Sequence, residues 1–369
     1  MNILFPLHWV TGLGLWAPLH WRNYEPKDDD QEQCRMPPHM TFFCELEAAQ
    51  LEVPFESGQV IATLQKLDAG VALAIRDFST ERAAVVRRLN EAGIPVTAWL
   101  LLPEEEGYWF NLDNAPQAVQ RYQDFQAWSQ NEHLKWLRIG LDIEPDFRLI
   151  TALKEGVMPA LRFIFSTASH RKKRFASARL LYRQLVEQIH NDGYEVEAYQ
   201  LPLILEERRS RSFVLQRWLG VLDLEVDREV LMLYSSFSRP WGDALLLNYG
   251  KDAQNIAIGS TGGGVDLEGV ADTRPLDWQE FSRDLLIAGL LKPEVAIFSL
   301  EGCVQRGYFE KLIHFDWQQS VQVERRKYVL VQQVRRLLAA AFWMLERPWL
   351  PAGLLILMVL LQIRRKKSN

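Results

Sequence analysis

The middle of the chain alternates short apolar runs with longer amphipathic segments, and the runs have the length of strands. Eight stand out, at 40–46, 70–77, 95–102, 136–144, 194–200, 228–235, 255–260 and 294–300. Between them the apolar spacing predicts helices over 80–93, 115–130, 172–192, 211–220 and 277–289. Ser79 is placed to cap the first of these, and Gly93, Gly193 and Gly289 stand where three of them close. Strand followed by helix, repeated, implies parallel pairing through right-handed crossovers, and eight repeats close naturally into a (β/α)8 TIM barrel. An open doubly wound sheet is the alternative. The barrel is favoured because no glycine-rich dinucleotide turn follows the first strand, which continues as Glu45-Leu46-Glu47-Ala48-Ala49.

The two ends differ from this middle. Residues 1–38 form an apolar, Trp-rich segment and a linker, with Asp28-Asp29-Asp30 and Pro37-Pro38 in the linker part. The first 21 residues lack the basic start of a secretory signal. The barrel then occupies 39–316. In the segment 317–345, residues 319–336 place Arg325, Arg326, Lys327, Arg335 and Arg336 among Val, Tyr and Leu, the pattern of an amphipathic helix able to lie at an interface. Residues 346–369 read as a transmembrane anchor with a basic tail. Their apolar run 348–363 ends in Arg364-Arg365-Lys366-Lys367, so the expected localisation is the membrane, through a single anchor helix at the carboxyl end. The basic cluster favours a cytoplasmic tail and the poor amino-terminal signal argues against it, which leaves the side of the barrel domain open.

Composition narrows the function classes. The 369 residues are 48% hydrophobic and 24% charged, values of a globular protein, and the net charge of -5 argues against a nucleic-acid partner. The run His170-Arg171-Lys172-Lys173-Arg174 reads as a solvated helix start. Three cysteines, Cys34, Cys44 and Cys303, have no metal-ligand spacing, so Cys44 and Cys303 read as buried thiols.

Candidate chemistry follows from where a barrel puts its site, at the carboxyl ends of the strands. Those ends offer Glu45, Arg76 with Asp77, Trp99, Asp142 with Glu144, Tyr199 with Gln200, Tyr234 with Ser235 and Ser236, Ser260 with Thr261, and Glu301. The richest is 136–146, where alternation of Leu137, Ile139, Leu141 and Ile143 puts Asp142 and Glu144 on one face before Pro145 stops the ladder. None of the seven histidines lies at a strand's carboxyl end, which argues against zinc and against nucleophilic triads. Carboxylate chemistry remains, with no cofactor expected. Glycoside hydrolysis needs an acid of raised pKa, and Asp142 would raise that of Glu144 by like-charge repulsion. Trp99, Tyr108 and Trp109 are candidates to stack on sugar rings, although each taken singly reads as packing.

The stretch Gly140-Leu141-Asp142-Ile143-Glu144, with Met232-Leu233-Tyr234 on the sixth strand and Phe298-Ser299-Leu300-Glu301-Gly302 on the eighth, resembles the chitinase-like family 18 glycoside hydrolases. The resemblance implies a (β/α)8 barrel with Glu144 as acid/base, Asp142 as partner of the substrate's acetamido group, which acts as internal nucleophile, and Tyr234 as its helper. It implies a carbohydrate ligand, for which the strand ends and the loop after the third strand offer Glu45, Asp77, Trp99, Tyr108, Trp109, Tyr199 and Glu301 as binding candidates. The chain departs from the family at Gly140 and Arg138, where further acids are usual, at Ser235, where the family has Asp, and at Phe298, where a Trp is common.

Two other classes stay open. One is a Mg²⁺-dependent barrel enzyme using Glu45, Asp77, Asp142 and Glu301, with Gly259-Ser260-Thr261-Gly262-Gly263-Gly264 holding a phosphate; that run otherwise reads as a rim loop. The other is a catalytically silent barrel that binds glycan or assembles a complex at the membrane. Glu104-Glu105-Glu106 reads as a solvated loop.

Overall fold

In the computed structural model, which describes residues 36–56, 58–263 and 274–349, the eight runs form eight parallel strands. They are β1 (His39–Cys44), β2 (Gly70–Ile75), β3 (Val96–Leu100), β4 (Arg138–Ile143), β5 (Glu195–Gln200), β6 (Arg228–Met232), β7 (Asn255–Gly259) and β8 (Glu294–Phe298). Each pairs with the next and β1 pairs with β8, so the barrel is closed. Closure leaves no edge and gives every strand two buried faces. On the outer face Phe42, Leu73, Leu100, Leu141, Leu231, Ile258 and Ile297 pack beneath the helices.

The inner face has a fixed cross-section that side chains must fill without overlap. Phe43, Trp99 and Tyr199, from β1, β3 and β5, meet edge to face with centroids 4.8–6.2 Å apart. Ala72, Ala74, Ala257 and Ala296 make the room for them. Gly140 makes more, because a Cβ there would stand 2.6 Å from the Tyr199 hydroxyl. At the amino end the interior is closed by Arg228, which binds Glu197 at 3.2 Å and also pairs with Glu294.

The predicted helices over 80–93, 115–130 and 277–289 appear as Thr80–Glu91, Ala115–Asn131 and Trp278–Leu291. Ser79 caps the first, and Asp277 with Glu280 forms a capping box at the last. Two expectations are corrected. The segment 211–220 holds the helix Val214–Leu219, preceded by another at Ile204–Ser210. The helix expected over 172–192 runs from Val157 to Asn191, and its 35 residues span about 52 Å, against about 20 Å for a six-residue strand. Its buried residues from Ala178 to Ile189 lie on the barrel, and that half alone carries the core periodicity. The remainder pairs with the helix Phe147–Glu155 as a hairpin beyond the carboxyl end of β4.

The basic run is therefore mid-helix and Arg171 is not solvated. Its side chain is fully buried, binding Asp113 at 2.7 Å and the Trp218 carbonyl at 2.6 Å. The amphipathic helix appears as Arg325–Glu346 against the helices Ile204–Ser210 and Gly242–Gly250. Among the described residues no helix is long and apolar enough to cross a membrane. The anchor expected over 348–363 lies outside them from residue 350 onward, as do nearly all of residues 1–38.

The Gly140–Tyr199 fit is testable. Gly140→Ala overpacks the interior and is expected to lower unfolding stability by about 1–3 kcal/mol. Pairing it with Tyr199→Leu should make the two substitutions non-additive in urea unfolding, the double variant losing less than the sum of the singles.

Candidate active site

Register puts Asp142 beside Tyr199 on the inner face of β4, while Ile139, Leu141 and Ile143 point outward. Asp142 is 2% exposed. The Trp99 indole Nε1 donates to its Oδ2 at 3.0 Å, and its Oδ1 has no hydrogen-bond partner among the described residues. Glu144, one residue past the strand, follows on the same face and keeps a partial opening to solvent. Asp146, the third acid of the run, is structural: it caps the helix Phe147–Glu155 by accepting from the Arg148 amide, and it binds the Arg148 guanidinium at 2.6 Å.

The loop after β3 closes over these acids. Gly107 and Tyr108 both take left-handed backbone angles, φ 106° and 62°, a turn that folds Tyr108 inward. The turn is held because the Leu102 amide donates to the Tyr108 carbonyl at 2.8 Å and Asn114 Nδ2 to the Trp109 carbonyl at 2.9 Å. Phe110 then donates to the Asp142 carbonyl at 2.9 Å and accepts from the Glu144 amide at 3.2 Å, extending the sheet by one bridge. As a result the Tyr108 hydroxyl donates to Glu45 Oε1 at 2.5 Å. Arg76, past the end of β2, reaches the Glu45 carbonyl at 3.4 Å, binds Glu47 at 2.5 Å and lies 5.3 Å from the centre of the Tyr108 ring.

These acids share a poorly solvated space, and their proton affinities respond. Burial pushes Glu144 up, and the charge of Glu45 adds to it. Asp142 is raised well above the usual carboxylate range by burial and then by the charges of Glu144 and Glu45, against the Trp99 hydrogen bond. Asp142 and Glu144 therefore repel each other as their spacing suggested, and Glu45, from the end of β1, adds a repulsion to both that the spacing did not reveal. Glu45 itself is pushed to about 7 by burial, with Tyr108 and Arg76 opposing and Glu301 and Glu47 assisting. Tyr234 is held far above its ordinary value by burial and the charges of Asp142, Glu144 and Glu45, so it stays a hydrogen-bond donor.

Glu301 belongs to the same end of the barrel. It is 3% exposed, burial raises it to about 7, and its surroundings include Ser299, Cys44 and the backbone of Glu45. The segment after β7 passes close to it: Gly263 takes a left-handed φ of 85°, and a Cβ there would lie 2.3 Å from Glu301 Oε1, so a side chain at 263 would be strained and would displace Glu301. Ser260 and Thr261 are structural in their hydrogen bonds, Thr261 Oγ1 donating to the Ser299 carbonyl and accepting from the Ser299 amide, both at 2.9 Å. Gly264 lies outside the described residues.

Asp77 does not join the group. It binds the buried Arg82 at 2.8 Å and the Ser79 amide at 3.0 Å. Despite partial burial, these contacts lower its pKa to about 2. It organises the turn into the helix Thr80–Glu91. The aromatics expected as sugar platforms also sit deeper than platforms do. Trp99 and Tyr199 are interior fill, and Tyr108 and Trp109 are buried in the loop, Trp109 against Phe147 with centroids 5.8 Å apart. At the mouth, half-buried Tyr234 lies 5.6 Å from Phe298, centre to centre. Cys44 and Cys303 are buried thiols, as expected. Among the described residues no group of three His, Cys, Asp or Glu side chains is arranged to hold a metal ion.

Ser235 was offered by its strand end, and it faces away from the acids, donating to the buried carboxylate of Asp284. The spacing does not reveal the wiring of Arg76 to Glu45, Glu47 and Tyr108, which runs between the ends of three strands brought side by side by pairing.

No family model matches the chain, and no curated protein matches it. Among solved structures, a family 18 chitinase from Pseudoalteromonas aurantia superimposes with a TM-score of 0.42 at 11% identity, covering 75% of this chain and 99% of that one. The glycoside hydrolase domain of PgaB (BpsB) from Bordetella bronchiseptica gives 0.45 at 11% identity, covering 75% and 98%. A mutant tryptophan synthase α-subunit from Pyrococcus furiosus gives 0.36 at 11% identity, covering 75% and 96%. None of these likenesses bears on the chemistry, which rests on the residues described.

The raised pKa of Glu45 has a consequence for stability. Between its ordinary value near 4.5 and its folded value of about 7, the folded chain holds a proton that the unfolded chain has released, so this group's contribution to stability falls as pH rises through that window. Glu45→Gln is expected to stabilise the protein by on the order of 1–3 kcal/mol at about pH 8 and to change little at about pH 4. Urea unfolding of both proteins at the two pH values checks it; an equal effect at both would contradict it.

Proposed function

We propose that the chain is a carbohydrate-active barrel that hydrolyses a glycan bearing an N-acetyl group, with Glu144 as acid and base. What supports this is the placement of one half-open carboxyl group, Glu144, directly after a fully buried one, Asp142, at the carboxyl end of β4. Burial and Glu45 keep Glu144 protonated at a pH where an ordinary glutamate is ionised. A protonated Glu144 gives its proton to the glycosidic oxygen as the bond from that oxygen to the anomeric carbon breaks. The carbonyl oxygen of the substrate's own acetamido group bonds to that carbon from the other face. Asp142, its Oδ2 fixed by Trp99 and its Oδ1 without a partner among the described residues, orients the acetamido group by hydrogen bonding. Tyr234 donates to the same group. Water then attacks the anomeric carbon, losing its proton to Glu144, and the ring of the intermediate opens.

The magnesium reading has less support, because Asp77, one of the four acids it needs, is committed to Arg82. Tethering through 348–363 belongs to the proposal on the strength of that run's composition and of the basic residues that close it.

With a fluorogenic N-acetylglucosamine oligosaccharide, Glu144→Gln is expected to lose turnover by about 10²–10⁴-fold while retaining substrate affinity. Wild-type kcat/KM should fall as pH rises through the elevated pKa of Glu144. A chelator should leave the rate unchanged. Wild-type binding without turnover, unaltered in Glu144→Gln, would mark a glycan-binding scaffold instead.

A further inference from the structure

The hairpin beyond β4, the turn and helix around 211–219 and the last helix share one flank of the barrel, and they are tied together along it. Glu346 accepts from the Phe213 amide at 3.0 Å and binds Arg217 at 2.5 Å. Phe213 lies 5.4 Å from Phe175, and Trp218 lies 6.1 Å from Phe165, centre to centre. Along this flank large apolar side chains face water: Met158 and Phe165 on the hairpin, Phe213 and Trp218 beside it, and Trp343 and Trp349 at the end of the last helix. Met158 and Phe165 are 74% and 61% exposed, on the half of the helix that has no barrel beneath it. Isolated apolar residues on a surface need no explanation, but several large ones gathered on one flank do.

The long helix of this flank is predominantly basic. From Gly156 to Val186 the chain has seven Lys and Arg residues, of which Arg171 is buried against Asp113, and no Asp or Glu, although exposed Glu155 precedes it, in a protein whose net charge is -5. Lys172 and Lys173 are exposed. From exposed Trp349 the chain continues as the apolar run 350–363, followed by Arg364-Arg365-Lys366-Lys367. Aromatic and aliphatic side chains bordered by cations match the boundary of an anionic bilayer, where rings enter the headgroup level and cations meet lipid phosphate.

We propose that this flank docks on the surface of an anionic lipid bilayer, holding the barrel against the membrane independently of any tether in 350–369. The inference does not rest on the glycan reading.

The test uses the full chain in a Cys34→Ser background, since Cys44 and Cys303 are buried. Phe165→Cys carries a polarity-sensitive bimane label, and Leu137→Cys, an exposed site preceding β4, carries the same label as control. Each is mixed with vesicles of phosphatidylcholine alone or with phosphatidylglycerol added. The label at 165 is expected to shift to the blue and to be shielded from aqueous quencher on the phosphatidylglycerol vesicles only, while the label at 137 stays wet on both. Adding Lys172→Gln and Lys173→Gln, both at exposed positions, should weaken the response at 165 by about 25-fold in lipid concentration, roughly fivefold per cation. The label reads the flank even where residues 350–369 keep the chain with the lipid. The proposal is overturned if position 165 stays exposed on both vesicle types, if its response ignores lipid charge, or if the same shift grows with protein concentration in the absence of lipid, which would assign the flank to a second copy of the chain.

Discussion

Asp142 lies in the interior of a closed parallel barrel with one oxygen held by Trp99 and the other without a partner among the described residues. A carboxylate so placed keeps its charge only against a desolvation penalty of several kcal/mol, unless a proton or a ligand relieves it. Much of the surrounding structure bears on that one group. Trp99 can reach it because Phe43 and Tyr199 hold the indole edge-on, and Tyr199 has its position because Gly140 leaves the space empty. A larger residue at 140 would displace the ring and loosen the hydrogen-bond donor that orients the acid.

The same arrangement explains why the acids differ in character. Glu144, one residue beyond the strand, has an opening to solvent that Asp142 lacks. Glu45 comes from the first strand and raises the proton affinity of both. Its own charge is moderated by Tyr108 and Arg76, which reach it through a left-handed turn and a strand end. Groups facing a shared, poorly solvated space from several strands are all raised in proton affinity, so a carboxyl group there holds a proton to give at a pH where a solvated one has lost it.

Outside the barrel, the long helix shows how one connection can serve two purposes. Its lower half is core, and its upper half stands clear with an apolar, basic surface. Arg171 joins the two, since its buried guanidinium bolts the helix to Asp113 in the loop after β3 and to the Trp218 carbonyl.

The repeating strands and helices were legible in the chain because burial between the barrel's interior and its helices demands apolar runs of strand length, and that demand is local. All eight strands, the Ser79 cap and the joint face of Asp142 and Glu144 follow from such local patterns. Other features depend on which distant segments become neighbours. The commitment of Asp77 to Arg82, the burial of Arg171 within a run that looked solvated, and the extra turns of the long helix beyond the barrel carry no core periodicity of their own. The repulsion of Glu144 by Glu45 spans 99 positions in sequence and exists only because β1 and β4 face a common interior once the barrel has closed. Periodicity records which side of an element is buried, whereas the charge a residue meets there is set by closure.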